Sequence, residues 1–317
     1  MNSDCILVIG ANGQIGSELT ERLAEVYGIQ NVFASDIALA SRVEYAPYFR
    51  LDVLDTLALA KLVTDLRVTQ IYHLAAVLSA AGERDPQRAW HLNITGLFNV
   101  LETARQFGVR KVFWPSSIAA FGPGTPHEHT PQYCVMDPNT IYGISKLTGE
   151  RWCEYYHRNH GIDVRSLRYP GLISYKTPPG GGTTDYAVEI FHAAKAREEY
   201  RCFVGPDTRV PMMYMPDALR ATLGLMEAPA DVIRIRSSYN VAALSFSVSE
   251  LVESIRDQLP EFRVSYRPDF RQAIADAWPA TIDDSAAVSD WGWHARYDLD
   301  AMTADMLAKV RLVKAAA

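Results

Sequence analysis

Residues 5–16 read CILVIGANGQIG, and the fold follows from how that stretch is read. Four consecutive aliphatics, Ile6 to Ile9, end at a glycine, the pattern of a short strand buried on both faces. Gly10, Gly13 and Gly16 then stand at GxxGxxG spacing, and a helix is expected from about Ile15 to Tyr27. Gly10 permits a tight turn, Gly13 lets the backbone approach a pyrophosphate, and Gly16 lets helix and strand pack closely. The helix start offers unbonded N–H groups and the positive end of its dipole to an anion. Asn12, Gln14 and Ile15 complete the same turn and share the phosphate-binding expectation. Asp36 ends the next strand, VFASD, twenty residues after Gly16. A carboxylate there accepts from both adenosine ribose hydroxyls and repels a 2′-phosphate, so NAD is expected over NADP. The plainer reading of Asp36 is a solvated turn acid. Asp52, with the Val53 backbone, stands where an adenine amine would be met.

Outward from this unit the rhythm repeats. FRLDV, IYHLAA, KVFWPSS and DVRSLRYPG read as further strands, with helices expected near 56–66, 86–107 and 140–159. Strand–helix alternation with apolar strands implies an α/β fold, a Rossmann-type doubly wound parallel sheet. After Gly171 the alternation breaks up. A helix TDYAVEIFHAAKAR is expected to be capped by its threonines, and SVSE (247–250) fits a capping box. A last helix is expected near 298–313. Residues 1–172 plus about 210–240 are expected to form the NAD-binding domain, with 210–240 returning to the sheet. Residues 173–209 and 241–317 form a smaller C-terminal α/β substrate lobe.

The totals narrow the class. The 317 residues carry a net charge of -6, which gives no footprint for nucleic acid or a membrane surface. Four scattered cysteines without a CxxC pair read as reduced thiols, and no apolar stretch is long enough to span a bilayer. The opening MNSDC lacks a basic signal-peptide start, so a cytoplasmic location is expected. Eight histidines include no HExxH and no cluster at zinc spacing, so no metal is expected.

The reactive groups lie in IYGISK (141–146), which sets Tyr142 and Lys146 four apart on one helix face. A free tyrosine is only ~0.1% phenolate at neutral pH. A neighbouring ammonium is expected to lower its pKa by about 1–3 units and make it a base. WPSSIAAFG ends a strand at the ligand crevice, where Ser117 can hydrogen-bond the substrate oxygen and Ser116 is the competing choice.

GxxGxxG, HLAA (73–76), SSIAAFG and YGISK, taken in order, resemble the extended short-chain dehydrogenase/reductase superfamily along the whole chain. The resemblance implies Ser117, Tyr142 and Lys146 as catalytic residues, with Lys146 also holding the nicotinamide ribose. It implies Asn93 as support for a proton-relay water. Leu74, Ala75 and Ala76 would line the cofactor, and Tyr169 and Pro170 would lie at the nicotinamide. It also implies a homodimer through helices near 86–107 and 140–159.

The stretch PPGGGTTDYAV (178–188) raises a separate question. Its glycines suit a lid over a compact polar substrate, and equally a flexible connector. RYPGLIS, GGGTTDYAVEIFHAA, VPMMYMPDA and AWPATIDDSAA resemble the short-chain type of L-threonine 3-dehydrogenase. That resemblance implies L-threonine as substrate, enclosed by Ser79, Ser117, Tyr142, Thr183, Thr184, Asp185 and Trp278. Arg165, Arg168 and Arg209 are the candidate carboxylate partners. Two rivals remain at this level: a nucleotide-sugar epimerase or dehydratase on the same scaffold, and a non-catalytic NAD(H) sensor.

Overall fold

In the computed structural model, which describes residues 4–178 and 180–311, six parallel strands form the central sheet. They are β1 (Ile6–Ile9), β2 (Val32–Asp36), β3 (Tyr48–Arg50), β4 (Gln70–His73), β5 (Lys111–Phe113) and, after a short β6 (Ser116–Ser117), β7 (Asp163–Arg165). Their order across the sheet is β3-β2-β1-β4-β5-β7. The chain therefore winds one way from β1 and then resumes at β4 on its other side. Such a reversal opens a crevice at the carboxyl ends of the two central strands.

Strand β1 shows why the sheet must be covered on both faces. Leu7 and Ile9 join one apolar cluster and Ile6 and Val8 the other, the period-two alternation of a pleated strand. The first face is covered by α2 (Thr56–Asp65), which with α1 (Gln14–Tyr27) is among the expected helices. Along the chain follow α3 (Ser79–Gly82), α4 (Pro86–Trp90), α5 (Gly96–Phe107), α6 (Ile141–His160), α7 (Tyr186–Ala196) and α8 (Met215–Glu227). Helices α5 and α6 complete the first cover, through Leu97, Leu101, Cys153 and Tyr156. The opposite face is covered by α1 and α8, through Leu19, Leu23, Ala218, Ala221 and Leu225.

Several expected elements divide. DVRSLRYPG forms three strands, β7, β8 (Leu167–Tyr169) and β9 (Gly171–Ile173), each in a different sheet. KVFWPSS is likewise β5 and β6, because Pro115 has no N–H for the ladder. The chain so steps from the main sheet to a β12-β8-β6 sheet and a β13-β11-β9 sheet. These contain β11 (Arg209–Tyr214), β12 (Tyr239–Asn240) and β13 (Leu244–Ser247), following β10 (Tyr200–Cys202). Residues 210–240 thus do not rejoin the six-stranded sheet. Strand β11 pairs with β9 and β13, and β12 with β8, while α8 supplies cover by side-chain burial.

The region expected as one helix near 86–107 is interrupted by a π turn at His91–Thr95, which turns Asn93 inward. Ser247 and Glu250 form the expected capping box. The last helix spans Leu299–Lys309, shorter than expected, and positions 312 and 313 lie outside the described residues.

Candidate active site

The glycine turn is built by close backbone approach. Gly10 has φ +85°, and a Cβ there would lie 2.6 Å from the Ala75 nitrogen. Gly16 packs so tightly that a Cβ would sit 2.2 Å from the Gly10 carbonyl. Gly13 differs: its Cβ would meet only the Gly10 carbonyl, at 3.3 Å, and the rest of the space before it is open. It is the N-cap of α1 and has no side chain to take up the first N–H groups. An anion has both the room and the donors here. Gln14, Ile15, Leu74 and Ala76 line the cavity that also holds Ser117, Tyr142 and Lys146, and the Ala75 backbone packs against Gly10.

Asp36 stands at the rim, its Oδ2 accepting the Asn12 N–H at 3.1 Å and its Oδ1 the Ala38 N–H at 3.2 Å. The Asn12 side chain is committed elsewhere. Its Nδ2 donates to the Ala40 carbonyl at 2.9 Å and its Oδ1 accepts from the Arg42 N–H at 2.8 Å. It ties the loop after β2 to the phosphate turn, and its backbone N–H is held by Asp36. Asp52 Oδ1 accepts from the Leu54 N–H, and the Val53 side chain is buried with its carbonyl held by Asn99 at 3.0 Å. Asp36→Ala is expected to bring the kcat/KM values for NAD and NADP closer together by about tenfold, since one repelled charge is lost. An unchanged ratio would place the discriminating group elsewhere.

The reactive trio converges as expected, with one electrostatic correction. Tyr142 and Lys146 share a face of α6, which Thr140 caps by accepting the Gly143 N–H at 3.0 Å. Ser117 lines the cavity with Tyr142 and acts to lower the pKa of its phenol. Ser116 does not compete, because its hydroxyl donates to Glu150 at 2.6 Å. The lysine, however, does not depress the phenol. Burial pushes Tyr142 up to about 12, only partly offset by Ser117, and pushes Lys146 down to about 7. The reason is placement: Lys146 Nζ donates to the Pro115 carbonyl at 2.6 Å and lies 4.5 Å over the Trp114 ring. Asn93 bonds the Val77 backbone at both ends and Ser145 Oγ at 3.2 Å, bracing the wall beside α6.

On the substrate side, Ser79 and Thr183 hydroxyls meet at 3.1 Å and join α3 to the glycine run. Thr184, Asp185 and Trp278 complete the enclosure, with Pro170 and Tyr169 opposite. Tyr169 turns its ring into the core and bonds Thr222, so it faces the cavity with backbone. The expected threonine caps are not formed. Asp185 occupies the N-cap of α7, and its carboxylate turns back to accept the Gly181 and Gly182 N–H groups at 2.7 and 2.8 Å. Gly181 has φ +91°. Gly181→Ala is therefore expected to strain this turn by about 1–2 kcal/mol and to raise the KM for substrate. Wild-type kinetics in that variant would favour the connector reading. Pro179 of the quoted stretch lies outside the described residues.

The three candidate arginines are ruled out by their partners. Arg165 forks onto Asp163 at 2.7 and 2.9 Å and donates to the Leu225 and Ala228 carbonyls. Arg168 forks onto Glu150, with both bonds at 2.8 Å. Arg209 pairs with Glu250 at 2.7 Å. Among the described residues Lys146 is the sole cation lining the cavity. No group of three or more His, Cys, Asp or Glu among the described residues could hold a metal ion.

Residues 6–242 match the family described as "NAD dependent epimerase/dehydratase family". The chain belongs to that family. Its cofactor is NAD, and its fold is that of the family's Rossmann-like members. The chain is 46% identical over 305 residues to the mitochondrial L-threonine 3-dehydrogenase of Bos taurus, covering 95% of this chain and 81% of that protein. It is 59% identical to the GalE-like L-threonine dehydrogenase from Cupriavidus necator in its holo form, with a TM-score of 0.96 over 97% of this chain and 100% of that one. A monomeric L-threonine 3-dehydrogenase from a metagenome is 46% identical, with a TM-score of 0.94 over 96% of this chain and 98% of that one.

In this member of the NAD dependent epimerase/dehydratase family, the residues present fit the dinucleotide. The open space before Gly13, the uncapped start of α1 and Asp36 at the rim suit its pyrophosphate and ribose. Three supporting groups escape a reading by motif: Glu150, Asn99 and the Pro115 carbonyl. Glu150 alone left a usable signal, because it continues the four-residue spacing of Tyr142 and Lys146 on α6.

Proposed function

We propose that this chain oxidises the C3 hydroxyl of L-threonine to the ketone, giving 2-amino-3-oxobutyrate. One observation carries the reading: Tyr142, Ser117 and Lys146 open into the same small cavity as Ser79, Thr183, Asp185 and Trp278. Ser117 orients the substrate oxygen, and Tyr142 as phenolate takes its proton. Lys146 holds the nicotinamide ribose and, as ammonium, stabilises the phenolate. When bound, NAD supplies the acceptor for the hydride leaving C3. Trp278 and the Asp185-braced glycine run exclude water from one side.

The test is absorbance at the NADH band with L-threonine, D-threonine, L-serine and UDP-glucose in parallel. NADH from L-threonine, surviving a chelator, is expected. No reaction with L-threonine, or epimerisation of UDP-glucose, overturns the reading. The reading includes a two-part division, with residues 1–172 and about 210–240 assigned to NAD and about 173–209 and 241–317 to the substrate, the 210–240 segment joining through the cover of α8 rather than through the main sheet. A homodimer through helices α4–α6 is part of the proposal. Phe98 and Tyr155 are 40% and 50% exposed there, flanking the Trp152 ring. One similar structure is described as monomeric, so sedimentation equilibrium decides between the two states. A cytoplasmic location is supported by four free thiols, while no helix among the described residues is long and apolar enough to cross a membrane.

A further inference from the structure

Beneath the reactive cavity lies a charged network that the proposed reaction does not use directly. Glu150 has no exposed surface and Arg168 has 2%, and their side chains form a two-pronged pair. Arg168 also donates to the Gln132 carbonyl at 3.0 Å and to Asn240 Oδ1 at 2.9 Å, and its guanidinium lies 5.2 Å from the Phe121 ring centre. Glu150 additionally accepts the Ser116 hydroxyl at 2.6 Å. Three members of the network are neighbours of active-site residues. Ser116 precedes Ser117 on β6, Arg168 precedes Tyr169 on β8, and Glu150 lies one turn beyond Lys146 on α6.

We propose that Glu150 and Arg168 are a positioning pair that sets Ser117 against Tyr142 and keeps Lys146 cationic. The positioning arm is geometric. Strand β6 has only two residues and pairs with β8 alone, so two ladder partners do little to fix it. The hydroxyl of Ser116 bound to a carboxylate on α6 fastens β6 to the helix that carries Tyr142 and Lys146. A charge-assisted bond of this kind is both shorter and stronger than one between neutral groups.

The charge arm follows from the helix spacing. Residues four apart face the same way, so the Glu150 carboxylate acts on Lys146 from below. The other titratable groups around Lys146 are Cys153 and Tyr142 on α6 and His73 on β4, with Arg168 behind Glu150. His73 is buried and held neutral, pushed down to about 3 by burial and then by Lys146. Cys153 is held as the thiol by burial. Glu150 is then the anionic side chain acting on Lys146, and it opposes the desolvation that drives the lysine toward its neutral form. Removing its charge lowers the Lys146 pKa, so the ammonium is lost at a lower pH. The unpaired Arg168 pushes in the same direction.

The inference rests on the proposed roles of Ser117, Tyr142 and Lys146, and not on which alcohol is oxidised. The experiment follows the Lys146 Nζ resonance against pH in lysine-labelled protein, assigned with Lys146→Met, together with kcat and NAD affinity. Glu150→Gln is expected to move the Lys146 midpoint down by about one pH unit and to lower kcat by about tenfold or more. Ser116→Ala keeps the charge and is expected to leave the midpoint in place while kcat falls. Glu150→Asp should behave as Ser116→Ala does, because it retains charge but withdraws the carboxylate. If Glu150→Gln does not fold, the Ser116 and aspartate variants carry the test. An unmoved midpoint in Glu150→Gln overturns the charge arm, and wild-type kcat in folded Ser116→Ala and Glu150→Asp overturns the positioning arm. Failure of L-threonine as substrate leaves the resonance measurement intact, so the two readings fail separately.

Discussion

Replacing Tyr142 by phenylalanine is expected to lower kcat for L-threonine oxidation about a thousandfold while leaving NAD affinity close to wild type. The phenol opens into the cavity with Ser117, and the change removes a single oxygen without altering the α6 face that carries Lys146. The ring remains to fill its place against the core cluster of the smaller lobe. The loss should therefore appear in kcat and kcat/KM together, as it does when an interaction made in the transition state disappears. A variant that keeps most of its turnover would mean that another base takes the proton, and the mechanism would fall. The wild-type pH profile bears on the same point. The phenol is pushed up to about 12 and the ammonium down to about 7, so activity should be slight at low pH, rise toward neutrality and level off above about 7, where loss of the Lys146 ammonium offsets the gain in phenolate. The sign follows from the phenol, whose basic form accumulates only as pH increases toward its pKa.

Gly10→Ala is expected to abolish measurable NAD binding and to lower Tm by roughly 5–10 °C. Two costs add. The residue sits at φ +85°, where an alanine costs about 1–2 kcal/mol. Its Cβ would also fall 2.6 Å from the Ala75 nitrogen and 2.9 Å from the Leu74 carbonyl carbon, both backbone atoms, and overpacking of this kind costs about 1–3 kcal/mol. Relief requires β1 and β4 to separate at their carboxyl ends, where the crevice opens. Gly108→Ala is the control. It has φ +68° at the end of α5 but nothing within 4 Å of the added carbon, so only the conformational cost applies. Differential scanning calorimetry and titration with NAD separate the two variants. Equal effects on stability would show that close approach at Gly10 contributes nothing.

Most of the nucleotide-binding half was legible. The run Ile6–Ile9, the glycines at 10, 13 and 16 and the acid at 36 express rules that act within a few turns of chain. Tyr142 and Lys146 were legible for the same reason, since helix spacing alone puts them on one face. Placement of the short strands was not. Pro115 and Pro170 interrupt apolar runs whose composition is that of continuous strands, and which sheet each piece joins depends on partners far along the chain. Strand β8, for example, takes β12 from beyond residue 238 as one neighbour and β6 as the other.

Chain-local chemistry determined the alternating fold, the phosphate turn, the preference for an adenosine ribose without a 2′-phosphate, and the Tyr142–Lys146 face. The tertiary structure alone decided that the Ser116 hydroxyl goes to Glu150 while Ser117 lines the cavity, that Arg165, Arg168 and Arg209 are spent on carboxylates and carbonyls, and that Asp185 braces the glycine run. Turns and periodicities are set by neighbours in sequence. The partner of a charge or a hydroxyl is set by which distant elements bring an acceptor within about 3 Å, and that distance exists only once the chain is folded.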